Sequence, residues 1–355
     1  MKETEQGNFP GGTRLLFVAA SLVIIIWGIN QAQSALASSL VAVFLAVLGT
    51  PLVHWLERKR IPSVAAVLIV LAGMIAILLT VGGLVATSLS GFSDSLPSYQ
   101  QRIQEQAKSL AALLAQKGLP VTEKMLLEYL NPAAVMKLFA GMLGGLGSVI
   151  SNIVLILLTV MFILLEASSF PVKLRAVLGH PRQVFPEFTK FVDDIQRYML
   201  VATGLNLTAG VLLGIWLSVM GVGSPVLWGF LAFMLLYIPH VGSIIAAVPA
   251  VSLTLVQFGP GRAALVAAGF MLIQFTIGNL VWPKLIGRKM SLSTLVVFLS
   301  LVFWGRMLGL LGAVLCVPFT MTLKFLCENH ESTRWIAVLL GPAVPVKNTP
   351  PVQEK

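Results

Sequence analysis

The chain has 355 residues, of which 57% are hydrophobic and only 11% charged, against roughly 45–50% and about 25% in ordinary soluble domains. A water-soluble fold is excluded, because so few ionised side chains cannot cover the surface of a chain this long. The net charge of +10 does not point to nucleic acid, since the basic residues sit in short clusters between apolar runs with no interleaved aromatics for base stacking.

A mean hydropathy of +0.91 makes a bilayer the solvent, and uncharged runs of this length predict helices. After a polar cytoplasmic tail (1–13), Arg14 precedes the apolar run Leu15 to Ile29. Ala35-Leu36-Ala37 offers a signal-peptidase-like sequence, but Leu40 to Leu56 supplies a second span at once, so the first is read as retained. Glu57-Arg58-Lys59-Arg60 marks the cytoplasmic end of the second span and puts the N-terminus on the same side. Val64 to Leu89 completes transmembrane helices 1 to 3, within 14–91.

The next segment, 92–140, mixes charges of both signs with apolar residues at Ile103, Leu110 and Leu114. It predicts an extracytoplasmic helical arm in which Pro97 and the Asn131-Pro132 pair start helices. Within 141–198, Leu143 to Leu165 is a fourth span ending at Glu166, and a cytoplasmic segment follows, broken at Pro171, Pro181 and Pro186. Phe188, Phe191, Val192 and Ile195 then form one stripe of a helix expected to lie at the membrane interface, leading into the fifth span, Leu200 to Met220.

Residues 199–327 contain a weak duplication, 199–258 and 259–327. Leu200-Val201-Ala202-Thr203-Gly204 is echoed by Leu265-Val266-Ala267-Ala268-Gly269, Phe230-Leu231-Ala232 by Phe298-Leu299-Ser300, and Val248-Pro249 by Val317-Pro318. Val226 to Phe258 would measure about 50 Å as one helix, well beyond a hydrocarbon core of roughly 30 Å. Tyr237-Ile238-Pro239-His240-Val241-Gly242 interrupts it near the middle, and Trp304-Gly305-Arg306-Met307-Leu308-Gly309 interrupts Leu295 to Phe325. Each copy therefore reads as one span plus one re-entrant hairpin, and the single crossing between them makes the hairpins enter from opposite faces. The fold class is an all-α polytopic membrane protein with about six full transmembrane helices, two broken segments in inverted repeat and a helical extramembrane arm. The tail, 328–355, ends in the cytoplasm.

No arrangement for catalysis is visible, so the chain is not read as an enzyme. His54, His180, His240 and His330 are scattered, no nucleotide fingerprint occurs, and no cofactor or metal is implied. Cys316 and Cys327 lie about 16 Å apart on one helix, too far for a disulfide. Intramembrane polar residues are costly and therefore mark function by default. His240 and Arg306 stand at the two hairpin breaks. The first reads as a substrate or proton-coupling partner, or as a surface loop tip; the second as an anion or hydroxyl clamp, or as a cation snorkelling to headgroups. Asn206, Gln274 and Asn279 are amides able to serve a polar solute or to bridge helices. Pro239, Gly242, Pro249, Pro283, Gly309, Gly312 and Pro318 are read as breaks that shape the site.

Several long blocks, Pro51 to Pro62 (PLVHWLERKRIP), Tyr237 to Pro249 (YIPHVGSIIAAVP), Gly278 to Gly287 (GNLVWPKLIG) and Ser291 to Lys324, resemble the AI-2E transporter family of bacteria. The resemblance implies a multi-pass inner-membrane protein and a homo-oligomer, with a pentamer as the expected stoichiometry. It also implies export of a small polar signal such as autoinducer-2 in quorum sensing; the alternative within the family is a sodium or lithium/proton antiporter. Two departures weaken a cation site: Trp282 precedes Pro283 where an acid is expected, and Arg306 replaces a neutral aromatic.

Overall fold

The computed structural model describes residues 31–116, 153–167, 184–286, 292–329 and 331–341, with positions 20, 21, 24, 27 and 28. The Asn131-Pro132 helix start, Pro171, Pro181 and the end of the tail lie outside the described residues, as does the expected first span apart from those five positions. Among the described residues there are helices and no strand, and five helices are long and apolar enough to cross a membrane.

Helix α1 (Gln33–Arg58) is closed by a turn in which the Arg60 amide reaches the Glu57 carbonyl and the Ile61 amide reaches that of Leu56. Arg60 takes the left-handed conformation, φ 64°, that such a cap requires. Helix α2 (Ser63–Gln116) has 54 residues, roughly 80 Å, so its second half must leave the hydrocarbon slab. This corrects the expectation that a new helix starts at Pro97, which lies inside α2. Contacts on both sides of the proline hold the helix through it: Phe92 packs edge-on against Trp228 at 5.5 Å, and the Arg102 guanidinium donates to the Gln257 carbonyl at 3.0 Å. With α3 (Ile153–Ala167) these helices bury Ala42, Ala46, Val67, Ile156, Val160 and Leu164 in one cluster.

Helix α4 (Val184–Val219) runs 36 residues without interruption. The segment expected at the membrane interface is thus its first turns, and part of its aromatic stripe packs on protein: the half-buried Phe191 stacks on Phe325 at 4.1 Å and 10°. Lipid tails are as apolar as leucine, so helices in a bilayer associate through close packing rather than through a hydrophobic force. Gly210 and Gly214 of α4 meet Gly229 of α5 (Pro225–Leu235) in this way, for a Cβ on Gly210 would come within 2.7 Å of the Gly229 carbonyl oxygen.

Helix α5, a turn over 236–241 and α6 (Gly242–Phe258) form the first hairpin. Beyond Gly259 the chain continues as α7 (Pro260–Phe275), a π-helix (Thr276–Val281) and α8 (Trp282–Ile286), together roughly 40 Å of helix. The second broken element, α9 (Thr294–Glu328), loses helical geometry at Gly309, with φ 65° and ψ −147°. A Cβ on Gly242 would fall on the Leu235 carbonyl, and one on Gly312 on the Trp304 carbonyl, so each hairpin pinches shut over a glycine. The first hairpin ends where the α7–α8 rod begins, and α9 follows the rod in sequence. The tail adds a 3-10 turn (Glu331–Thr333) and α10 (Arg334–Leu340), whose Leu340 carbonyl accepts from the Ser293 amide at 3.1 Å.

Candidate functional site

A cavity of about 1480 Å³ opens between α4, the first hairpin, the α7–α8 rod and the start of α9. Asn206 of α4 lines it while only 5% exposed, and its amide nitrogen has no hydrogen-bond partner among the described residues. A buried donor left without an acceptor costs on the order of 1–3 kcal/mol, and Trp216 Nε1, away from the cavity, is a second such atom among the described residues.

Gln274, half-buried, and Asn279, exposed, line the same cavity. A π turn lies beside them. At about 100° per residue a regular helix would set positions five apart on different sides, whereas an i→i+5 turn stacks them nearly in line. Thr276–Val281 supplies that wider turn next to Gln274, and both amides line the cavity.

Aromatic rings close the space. Tyr198 and Trp282 meet edge-on at 6.0 Å, and the Tyr237 hydroxyl donates to Thr203 Oγ1 at 2.7 Å. Pro239 and His240 line the cavity from the first hairpin tip and Pro283 from α8. His240 is exposed and takes φ 62°, a left-handed conformation rare outside glycine. Among the described residues lining the cavity there is no Asp, Glu, Lys or Arg.

Arg306 is exposed on the second hairpin and does not line the cavity, so the two charged-type candidates are not brought together. Gly242, Pro249, Gly312 and Pro318 are buried within the hairpins, and with Gly309 they shape these elements without lining the cavity. Sequence reasoning missed Tyr198, Tyr237 and Trp282 as lining residues. Tyr237 stood inside the quoted break and could have been found as a polar aromatic in an apolar run. Tyr198 could not, because the span was expected to begin after it. Cys316 and Cys327 are both buried and free.

Long apolar helices, two broken elements and a largely apolar cavity that carries a few amides and hydroxyls define a multi-pass membrane transport protein. The chain belongs to the AI-2E transporter family, whose profile matches residues 15–331. It is similar to the AI-2 transport protein TqsA of Escherichia coli (strain K12), 35% identical over 330 residues that cover 93% of this chain and 96% of that one. It is 32% identical over 339 residues to the "Putative transport protein YhhT" of the same organism, covering 96% of this chain and 97% of that one. A "Putative transport protein" of Haemophilus influenzae is 32% identical over 334 residues, 92% of this chain and 96% of its own.

Proposed function

We propose that the protein is a secondary transporter of the bacterial inner membrane that exports a small polar signal or metabolite such as autoinducer-2. The observation that carries this is a cavity large enough for such a solute, lined by Asn206, whose buried amide nitrogen has no partner among the described residues. Gln274 and Asn279 add donors and acceptors, and Tyr198 with Trp282 adds apolar ring surface. The similarity to a protein named for AI-2 transport supports the choice of solute. A monovalent cation/proton antiporter is the second reading; it wants carboxylates at the site, and the absence of Asp and Glu among the described lining residues favours the solute.

In the same reading the termini are cytoplasmic, by the Arg58-Lys59-Arg60 cluster. The hairpins enter from opposite faces, because a single crossing, the α7–α8 rod, separates them in sequence. The functional unit is a homo-oligomer, in which the exposed faces of Leu68, Ile69, Leu78 and Leu79 on α2 meet lipid or a neighbouring subunit. The test is accumulation of labelled autoinducer-2 by inside-out vesicles with and without a proton gradient. Gradient-dependent uptake that Asn206→Leu weakens at low solute concentration supports export; no uptake by vesicles with verified protein overturns it and directs the same vesicles to sodium-driven proton flux.

A further inference from the structure

Tyr237 ends the first turn after α5 and is the last ring before the hairpin tip. Its hydroxyl donates to Thr203 Oγ1 at 2.7 Å, and the direction is fixed because the Thr203 hydroxyl itself donates to the Met199 carbonyl, also at 2.7 Å. Its ring meets Phe44 of α1 edge-on at 5.8 Å and Phe233 of its own hairpin at 5.7 Å. One side chain thus ties the hairpin tip to α4 by a hydrogen bond and to α1 by an aromatic contact.

Three residues further on, His240 holds φ 62°. Such a backbone is tolerated by histidine more readily than by most side chains, and both Tyr237 and His240 line the cavity.

We propose that Tyr237 is a positioning residue for transport: a latch that keeps the first hairpin tip closed against α4 and α1, and whose bond to Thr203 breaks when the cavity opens toward the tip. The proposal rests on the transport reading above but names a device that can be tested without any substrate. A hydroxyl pair is suited to the role. One neutral hydrogen bond can be exchanged for water as the tip opens, where an ion pair would trap one state.

The test uses the full chain in lipid vesicles, with a reporter thiol introduced by Ser252→Cys on the cavity wall and a membrane-impermeant maleimide added outside. The parent with only its two buried cysteines gives the background. Tyr237→Phe keeps the ring and removes the donor, and we expect the reporter to react about fivefold faster, the population shift that the loss of about 1 kcal/mol allows. Thr203→Val gives the same rise, the double variant gives no more than either alone, and Thr203→Ser, which keeps the acceptor, returns the parent rate. An unchanged rate in Tyr237→Phe, or additive effects in the double variant, overturns the latch. A changed rate with no solute flux in the parent leaves the latch standing and removes the transport reading; flux with an unchanged rate does the reverse.

Discussion

Trp304 and Phe319 lie with their ring centroids 4.8 Å apart at an interplanar angle of 48°. They are fifteen residues apart in sequence, and a straight helix would separate them by about 22 Å. The chain therefore doubles back between them, at Gly309, and what a helix assignment joins as Thr294–Glu328 is two antiparallel arms. The first hairpin makes the same closure at Gly242 against Leu235. Two segments with few shared letters thus share one backbone solution.

Gly312→Ala is expected to force these arms apart, because the added Cβ falls on the Trp304 carbonyl rather than on a side chain that can turn away. The loss is that of an overpacked core, about 1–3 kcal/mol, read as a lower thermal unfolding midpoint in detergent. Gly305→Ala is the control, since its Cβ meets only the Ala313 methyl at 3.7 Å, an ordinary contact. Equal behaviour of the two variants would contradict the pinched hairpin.

Asn206→Leu should separate stability from function. Removing a buried donor that has no partner relieves a desolvation penalty, so the folded protein gains about 1 kcal/mol. Binding of the polar solute weakens by about threefold to tenfold, the worth of one neutral hydrogen bond. Thermal unfolding and solute binding measured on the same preparation check both signs; a less stable variant that binds as well as the parent would remove Asn206 from the site.

Arg306→Ala is expected to leave solute affinity within about twofold of the parent, because Arg306 stands on the second hairpin outside the cavity lining. Equilibrium binding of the labelled solute decides this. A tenfold loss would show that the arginine reaches the solute in a state other than this one.

Gln257→Ala should loosen the base of the first hairpin. The Gln257 amide donates to the Tyr99 hydroxyl at 2.7 Å and accepts from the Gly223 amide at 3.3 Å, tying α2 to both ends of the hairpin base. Two neutral bonds make a loss of about 1–2 kcal/mol. Hydrogen exchange at the Gly223 amide should rise more than exchange in α1, which the side chain does not touch.

By itself the sequence determined the solvent, the helical class and the breaks. Charge scarcity and long apolar runs leave no other way to satisfy a backbone in lipid, and Pro239, Gly242, Gly309 and Gly312 stand where two overlong runs must bend. Asn206, Gln274 and Asn279 were legible as candidates because amides are conspicuous in apolar spans. The passage of α2 through Pro97 was not legible, since local preference favours a start there and the opposing contacts come from Trp228 and Gln257, more than 130 residues away. Nor was the placement of Tyr198 and Tyr237 against one cavity, or the exclusion of Arg306 from it. Those depend on which helix packs beside which, and in a bilayer that is decided by close fit between surfaces, such as Gly210 against Gly229, rather than by an apolar pattern that nearly every segment shares.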